Sequence, residues 1–273
     1  MELDSPAVRD AAQSLASHAL PAFGIALMTL IAAVCAVSRL VQRYGVHRET
    51  SRFTPLAYLV GYLALGFGII ISAAAMFAEI AENLGDGRKL GQLDLLFSDT
   101  IRSTVPLAAL QVFALLTHLA DTATLASLCI AGALALLWKR HYGLCIGWVM
   151  AITGNAVLNV TLKGIFERTR PVHDQGLAFA DGWSFPSGHA SGSVVAYGML
   201  AYVLVRLLPA GHTAARLPIV AAAAALAFSI GCSRIFLQVH FASDVLAGFV
   251  SGSAWLAACI GALEFWRYRQ RKP

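Results

Sequence analysis

Long apolar runs broken by short polar segments dominate the chain. The runs at 20–41, 56–78, 122–138, 143–162, 190–208, 217–231 and 241–265 each approach the roughly 20 mostly apolar residues that a helix needs to cross a bilayer. A backbone in hydrocarbon must satisfy its own hydrogen bonds, so each run reads as a helix. The third and sixth are short. A further apolar run at 105–119 is also short and contains Pro106, and only His118 to Asp121 separate it from the next span. It reads as an amphipathic or interfacial helix on the outer side. The predicted fold class is therefore all-α: a polytopic membrane helix bundle of about seven transmembrane helices plus one interfacial helix. Residues 1–119 hold the N-terminal spans and the outer interfacial segment, 120–265 form the core that carries the polar motifs, and 266–273 are a basic cytoplasmic tail.

Composition agrees. The 273 residues are 58% hydrophobic and 13% charged, and the mean hydropathy is +0.68, where a soluble domain carries about 25% charged residues. That deficit excludes a water-soluble surface. The net charge of +5 is not gathered into a basic stripe, so no nucleic-acid partner is expected. With the N-terminus outside, the inner segments hold twelve of the Lys and Arg residues and the outer segments eight. This bias supports an inside C-terminus and an odd number of spans. Residues 1–19 carry Glu2, Asp4 and Asp10 against Arg9, unlike a secretory signal. The tail 266–272 reads as an inner-surface anchor. The five cysteines have neither disulfide-like nor metal-like spacing.

Three polar clusters stand out. The first is Lys163-Gly-Ile-Phe-Glu-Arg-Thr-Arg170-Pro171 at the end of the fourth span. On a helix, Lys163 and Arg170 lie two turns apart on one face, about 10 Å along the axis, and could converge on one anion. Pro171 biases Arg170 out of the helix. Taken alone, the same residues also describe a snorkelling cationic belt. The second cluster is Pro186-Ser187-Gly188-His189, just before the fifth span. Ser187 is a good N-cap and Gly188 allows close approach to a ligand. The helix N-terminus beyond them attracts phosphate, with His189 facing the same place. The third cluster runs from Ser233-Arg234 to His240 and Asp244. At i, i+4 the last two share a helical face, where the carboxylate can fix the imidazole tautomer and leave Nε2 to attack. Arg234 adds a guanidinium fork. Ionisable groups near membrane depth are expensive and mark function by default. Two spans separate the second cluster from the third, so both lie at one membrane surface. The first and second are joined by an outer loop. Three cations, a hydroxyl, a helix N-terminus, two histidines and an aspartate thus meet in what reads as a phosphate pocket with a nucleophile and an acid.

The three motifs resemble the type 2 phosphatidic acid phosphatase family, whose superfamily includes vanadium haloperoxidases and glucose-6-phosphatase. The chain matches every fixed position of the pattern Lys-x6-Arg-Pro, Pro-Ser-Gly-His, Ser-Arg-x5-His-x3-Asp, and the resemblance covers roughly 122–263. It implies that Lys163, Arg170 and Arg234 neutralise the phosphoryl oxygens, while Ser187 and the Gly188 amide hydrogen-bond to them. It implies further that His240 attacks phosphorus, that Asp244 orients it, and that His189 protonates the leaving oxygen and then activates water. Ser233 takes a supporting role, and Glu167 and Arg168 are further candidates. No cofactor is expected. Metal ligation by His173, Asp174, His189, His240 and Asp244 is the competing idea, and three adjacent cations argue against it.

The expected partners are a lipid phosphate substrate and membrane lipids, with no obligate protein partner, and the expected place is a bacterial inner membrane with the site at the periplasmic face. A lipid phosphotransferase, a non-catalytic lipid-binding or transport protein, and a vanadate-dependent peroxidase are the alternatives. Asn155 and Asn159 read as interhelical hydrogen-bonding residues, and the Gly143/Gly147 and Gly248/Gly252 pairs as packing positions. The outer segment 79–121 reads as shaping a headgroup entrance, and His18, His47, His141 and His212 as solvated.

Overall fold

The long apolar runs each become one uninterrupted helix, because a broken backbone would leave polar groups facing lipid. The computed structural model describes residues 6–45, 55–84, 88–171, 177–209 and 211–270. Among these residues there is no strand. The helices are α1 (Pro6–Ser17), α2 (Ala19–Gly45), α3 (Pro55–Glu82), α4 (Lys89–Thr104), α5 (Leu107–Thr117), α6 (Thr122–Trp138), α7 (Tyr142–Phe166), α8 (Gly188–Leu207), α9 (Arg216–Phe236) and α10 (Ala242–Gln270).

Six of them are long and apolar enough to cross a membrane. The 17-residue α6 rises about 25 Å, just short of a hydrocarbon core. With it the candidate spans among the described residues number seven, as the apolar pattern implies. Ile25, Leu65, Leu134 and Val160 on α2, α3, α6 and α7 are each at least 62% exposed. Lipid accounts for such side chains where water could not.

Several boundaries differ from the sequence reading. The sixth span was placed at 217–231, but α9 continues through Ser233 and Arg234 to Phe236. Buried hydrogen bonding of Arg234 to Thr117 at 2.6 Å removes the reason to end the helix at the charge. Helix α10 carries the basic tail onward as helix as far as Gln270. Helices α1 and α4 were not expected, since both mix charged and apolar residues. Helix α4 meets α5 at a bend of 117°. Pro106 stands at the bend as N-cap of α5 and cannot continue α4. His47, His173 and Asp174 lie outside the described residues.

The most buried helix, α8, packs against α7, α9 and α10. Glycine makes this possible on α10. A Cβ at Gly248 would stand 2.6 Å from the Ser187 carbonyl oxygen, and one at Gly252 2.8 Å from that of Ser191. The Gly143 and Gly147 positions are likewise filled from within the chain, by Trp266 and Leu263. Asn155 and Asn159 on α7 reach α8: both donate to Ser191 Oγ, at 3.5 and 3.4 Å, and Asn159 also donates to the Pro186 carbonyl at 3.3 Å.

The outcome is one end of the bundle where α7 and α9 finish and α8 and α10 begin. Helices α4 and α5 are both tied to this end, through Asp94 and Thr117, so the bent pair caps it. Gly252→Ala forces the Ser191 backbone to move and is expected to destabilise by about 1–3 kcal/mol. Gly24→Ala, with nothing within 4 Å, is expected to leave the thermal unfolding midpoint in detergent unchanged. Equal midpoints for the two variants would contradict this packing.

Candidate active site

Helix α7 does not extend to Arg170. It ends at Phe166, and Glu167 turns the chain in a left-handed conformation with φ of 44°. The two-turn helical relation expected for Lys163 and Arg170 is therefore absent, yet the two side chains still meet, because both donate to the Trp183 carbonyl oxygen. Arg170 also donates to the carbonyls of Asp181 (3.0 Å), Gly182 (2.9 Å) and Val239 (2.8 Å). Four backbone carbonyls thus fix its fork in place.

Ser187 is the N-cap of α8, as expected: its Oγ accepts from the Ala190 amide at 3.4 Å. Its own amide donates to the Asp244 carbonyl at 2.9 Å, which joins the second motif to the third. At Gly188 a Cβ would lie 2.9 Å from Asn159 Oδ1. Close packing against the Asn159 side chain of α7 already favours glycine there, before any ligand does.

His240 and Asp244 meet, though not as a helical pair. After α9 the chain turns through Gln238, which holds φ of 57° and accepts a hydrogen bond from Ser98 of α4. His240 precedes α10, and Asp244 lies in the first turn of α10. The Asp244 carboxylate reaches back to accept from the Phe241 amide at 2.9 Å, in the manner of a capping residue. His240 Nδ1 is 3.5 Å from Asp244 Oδ2 and 3.3 Å from Ser184 Oγ. Ser184 itself donates to that Oδ2 at 2.5 Å. On the other side of the ring, Arg170 Nη1 stands 3.1 Å from His240 Nε2. A guanidinium can only donate, so Nε2 carries the lone pair and Nδ1 the proton. Burial drives the His240 ring well below its ordinary value, to about 3, while Asp244 pulls it the other way. The ring is neutral at physiological pH.

Arg234 is 2% exposed. Its Nη1 donates to Thr117, and its Nε is buried without a partner among the described residues. It lies close enough to His189 and His240 for its charge to act on both. Ser233 is turned inward, donating to the Ile230 carbonyl of its own helix at 2.6 Å.

Four residues escaped the sequence reading or were undervalued in it. Arg168 bridges two acids: Nη1 to Asp244 Oδ1 at 2.6 Å and Nη2 to Asp94 Oδ2 at 2.8 Å. Its guanidinium also covers the Phe241 ring at 4.3 Å. Arg168 therefore braces Asp244. Asp94 on α4 additionally accepts from the Ser243 amide at 3.1 Å and from the Ser243 hydroxyl. Asp121 accepts from His189 Nε2 at 3.0 Å and from His118 Nδ1 at 2.7 Å. Burial opposes the charge on Asp121, but the hydrogen bonds from the two histidines hold its carboxyl below the ordinary range. Ser184 completes the set. The available signal was polar residues placed against apolar neighbours, at Asp94 within α4 and at Asp121 between two apolar runs, with no spacing rule to connect them to the motifs.

Fold and site together define the class: a polytopic helical membrane protein with a histidine set among buried cations at one end of the bundle. The sequence model of the PAP2 superfamily matches residues 142–268. Phosphatidylglycerophosphatase B from Bacillus subtilis (strain 168) is 34% identical over 139 residues, which make up 50% of this chain and 66% of that protein, just under two thirds of its length. The crystal structure of a transmembrane PAP2 type phosphatidylglycerolphosphate phosphatase from Bacillus subtilis superposes with a TM-score of 0.68 at 25% identity, covering 75% of this chain and 98% of that one. Residues 142–268 of the chain are thus similar to the PAP2 superfamily.

Removing Arg168 would leave the Asp94 and Asp244 carboxylates buried without their shared counter-ion. Breaking a buried ion pair typically costs about 3–5 kcal/mol. Arg168→Ala is expected to lower the unfolding midpoint accordingly, and the double variant with Asp94→Asn to recover part of the loss. An Arg168→Ala protein as stable as wild type would contradict the bracing role.

Proposed function

We propose that the protein hydrolyses a lipid phosphomonoester of the phosphatidylglycerophosphate kind at the outer face of a bacterial inner membrane, through a phosphohistidine. One observation carries this reading: a buried, neutral imidazole is held on its Nδ1 side by Asp244 and Ser184, while its Nε2 lone pair faces the fixed cation of Arg170. A nucleophile aimed into a cluster of guanidinium groups suits an anionic electrophile.

The phosphoryl oxygens sit among Lys163, Arg170 and Arg234; the buried Nε of Arg234, without a partner among the described residues, calls for an acceptor. The Ser187 hydroxyl and Gly188 amide add neutral donors at the start of α8. His240 Nε2 attacks phosphorus in line with the ester oxygen, forming a P–N bond as the P–O bond breaks. The imidazolium this creates is stabilised by Asp244, which is itself held by Arg168, Ser184 and the Phe241 amide. His189 gives its proton to the departing oxygen and then takes one from the water that attacks the phosphohistidine. The charge that develops on the transferring group is met by cations already fixed in a low-dielectric setting, which is where such stabilisation is strongest. No step requires a cofactor or an obligate protein partner.

The substrate class follows from the surroundings. The site lies where membrane helices end, and the rings of Phe179 and Trp183 are exposed in the adjoining loop. Aromatic rings at this depth favour the interface between headgroup and acyl chain. A lipid can therefore reach the site laterally. The two Bacillus relatives carry the phosphatidylglycerophosphate name, which favours that headgroup over phosphatidic acid, undecaprenyl pyrophosphate or a lipid A phosphate. The excess of cations on the other side supports an outward-facing site.

Phosphate release from these four substrates in detergent, with EDTA present, tests the proposal. Wild type is expected to release free phosphate, fastest from phosphatidylglycerophosphate. His240→Ala is expected to lose at least about 1,000-fold in turnover. Abolition of activity by EDTA, transfer of phosphate to an acceptor in place of water, or near-normal turnover in His240→Ala would each overturn it.

A further inference from the structure

The corner between α5 and α6 lies outside the segment matched by the superfamily model, yet it is fastened to the active site at three points. Thr117 accepts from Arg234 Nη1 at 2.6 Å. The Leu119 carbonyl accepts from the Tyr197 hydroxyl of α8 at 2.7 Å. Asp121, the residue preceding α6, accepts from His189 Nε2 at 3.0 Å. Tyr197 follows His189 by eight residues, about two helical turns, so the corner is laid along the face of α8 that carries the histidine. These bonds fix where the Asp121 carboxylate stands.

We infer that Asp121 is a positioning residue for the reaction, holding His189 by Nε2 so that Nδ1 is the nitrogen that exchanges a proton with the substrate. The inference rests on the phosphatase reading above. A carboxylate can only accept, so the nitrogen facing it keeps its hydrogen in both charge states of the ring. The titrating position is then Nδ1. When His189 is protonated, Nδ1–H is the acid that delivers a proton to the departing lipid oxygen as the P–O bond breaks and the His240–phosphorus bond forms. The neutral ring that remains has its lone pair at Nδ1. That lone pair takes a proton from the attacking water as the new P–O bond forms and the P–N bond breaks, which returns His189 to its starting state. The two histidines are thus held by opposite nitrogens: His240 by Nδ1 against Asp244, with Nε2 reacting, and His189 by Nε2 against Asp121, with Nδ1 reacting.

Three groups share the surroundings of Asp121: His118 at 2.7 Å, His189, and the charge of Arg234. His118 is exposed and lies on the solvent side. Its contact leaves the other carboxylate oxygen, Oδ1, to His189. Asp121 itself is partly exposed, so its amide variant does not leave a buried charge uncompensated.

Leaving-group dependence separates this role from a merely structural one. The phenolate expelled from p-nitrophenyl phosphate needs little proton donation, whereas the alkoxide expelled from a lipid phosphate needs it fully. In the purified full-length protein in detergent, Asp121→Asn is expected to lower kcat/KM for the lipid phosphate by about 100-fold, in the range of a general-acid contribution. The loss for p-nitrophenyl phosphate is expected to be at least about tenfold smaller. Asp121→Glu is expected to recover part of the lipid activity, and Asp121→Asn is expected to add no further loss to His189→Asn. Equal losses on the two substrates, no loss on either, or an additive loss in the double variant would overturn the assignment. A wild-type protein that releases phosphate from neither substrate would count instead against the phosphatase reading.

Discussion

The carboxylate of Asp244 is the point on which the rest of the site depends. It is completely buried, and its charge is tolerated only because four groups meet it: Arg168 from the first motif, Ser184 from the loop before the second, and the Phe241 amide and His240 from the third. Its backbone carbonyl accepts from Ser187. A buried anion satisfied from so many directions makes the ends of α7, α8 and α10 mutually dependent. The His240 ring is oriented as a consequence, since it lies between this carboxylate and Arg170.

That arrangement separates charge usefully. The acids of the region, Asp94, Asp121 and Asp244, each have a histidine or arginine against them. Apart from these acids stand Lys163, Arg170 and Arg234, held largely by backbone carbonyls and a threonine hydroxyl. Neutral acceptors position these cations without cancelling them. Their charge stays available to an anion, in surroundings where it is screened less than in water.

The helical class and the number of spans were legible because apolar length over a bilayer is a strong constraint. Residues 122–138 and 241–265 could be assigned without any knowledge of packing. The three motifs were legible because fixed spacings carry chemistry. Local geometry was less so. Helical spacing rules suggested that Lys163 and Arg170 share a helix and that His240 and Asp244 pair along one. In the structure the first pair meets across a turn at Glu167, a non-glycine residue with positive φ, and the second across the start of α10, just after a similar turn at Gln238. Nothing in a hydropathy pattern signals such turns. Asp94 and Asp121 were missed for another reason: neither falls in a spaced motif, and the meaning of each appears only when α4, α5 and α6 are folded over the site. The expectation that 79–121 shapes a headgroup entrance underrated it, since this segment supplies direct partners to Arg168, His189, Arg234 and Gln238.

The central claim is that His240 Nε2 becomes bonded to phosphorus. Rapid acid-free quenching of the enzyme during turnover of a lipid phosphate, followed by peptide mass spectrometry, tests it most directly. The account predicts an acid-labile, base-stable phosphoryl group on the peptide containing His240, absent when Asn replaces that histidine. Phosphate found on another residue, or turnover with no phosphoenzyme under conditions that trap phosphohistidine in a control protein, would contradict it.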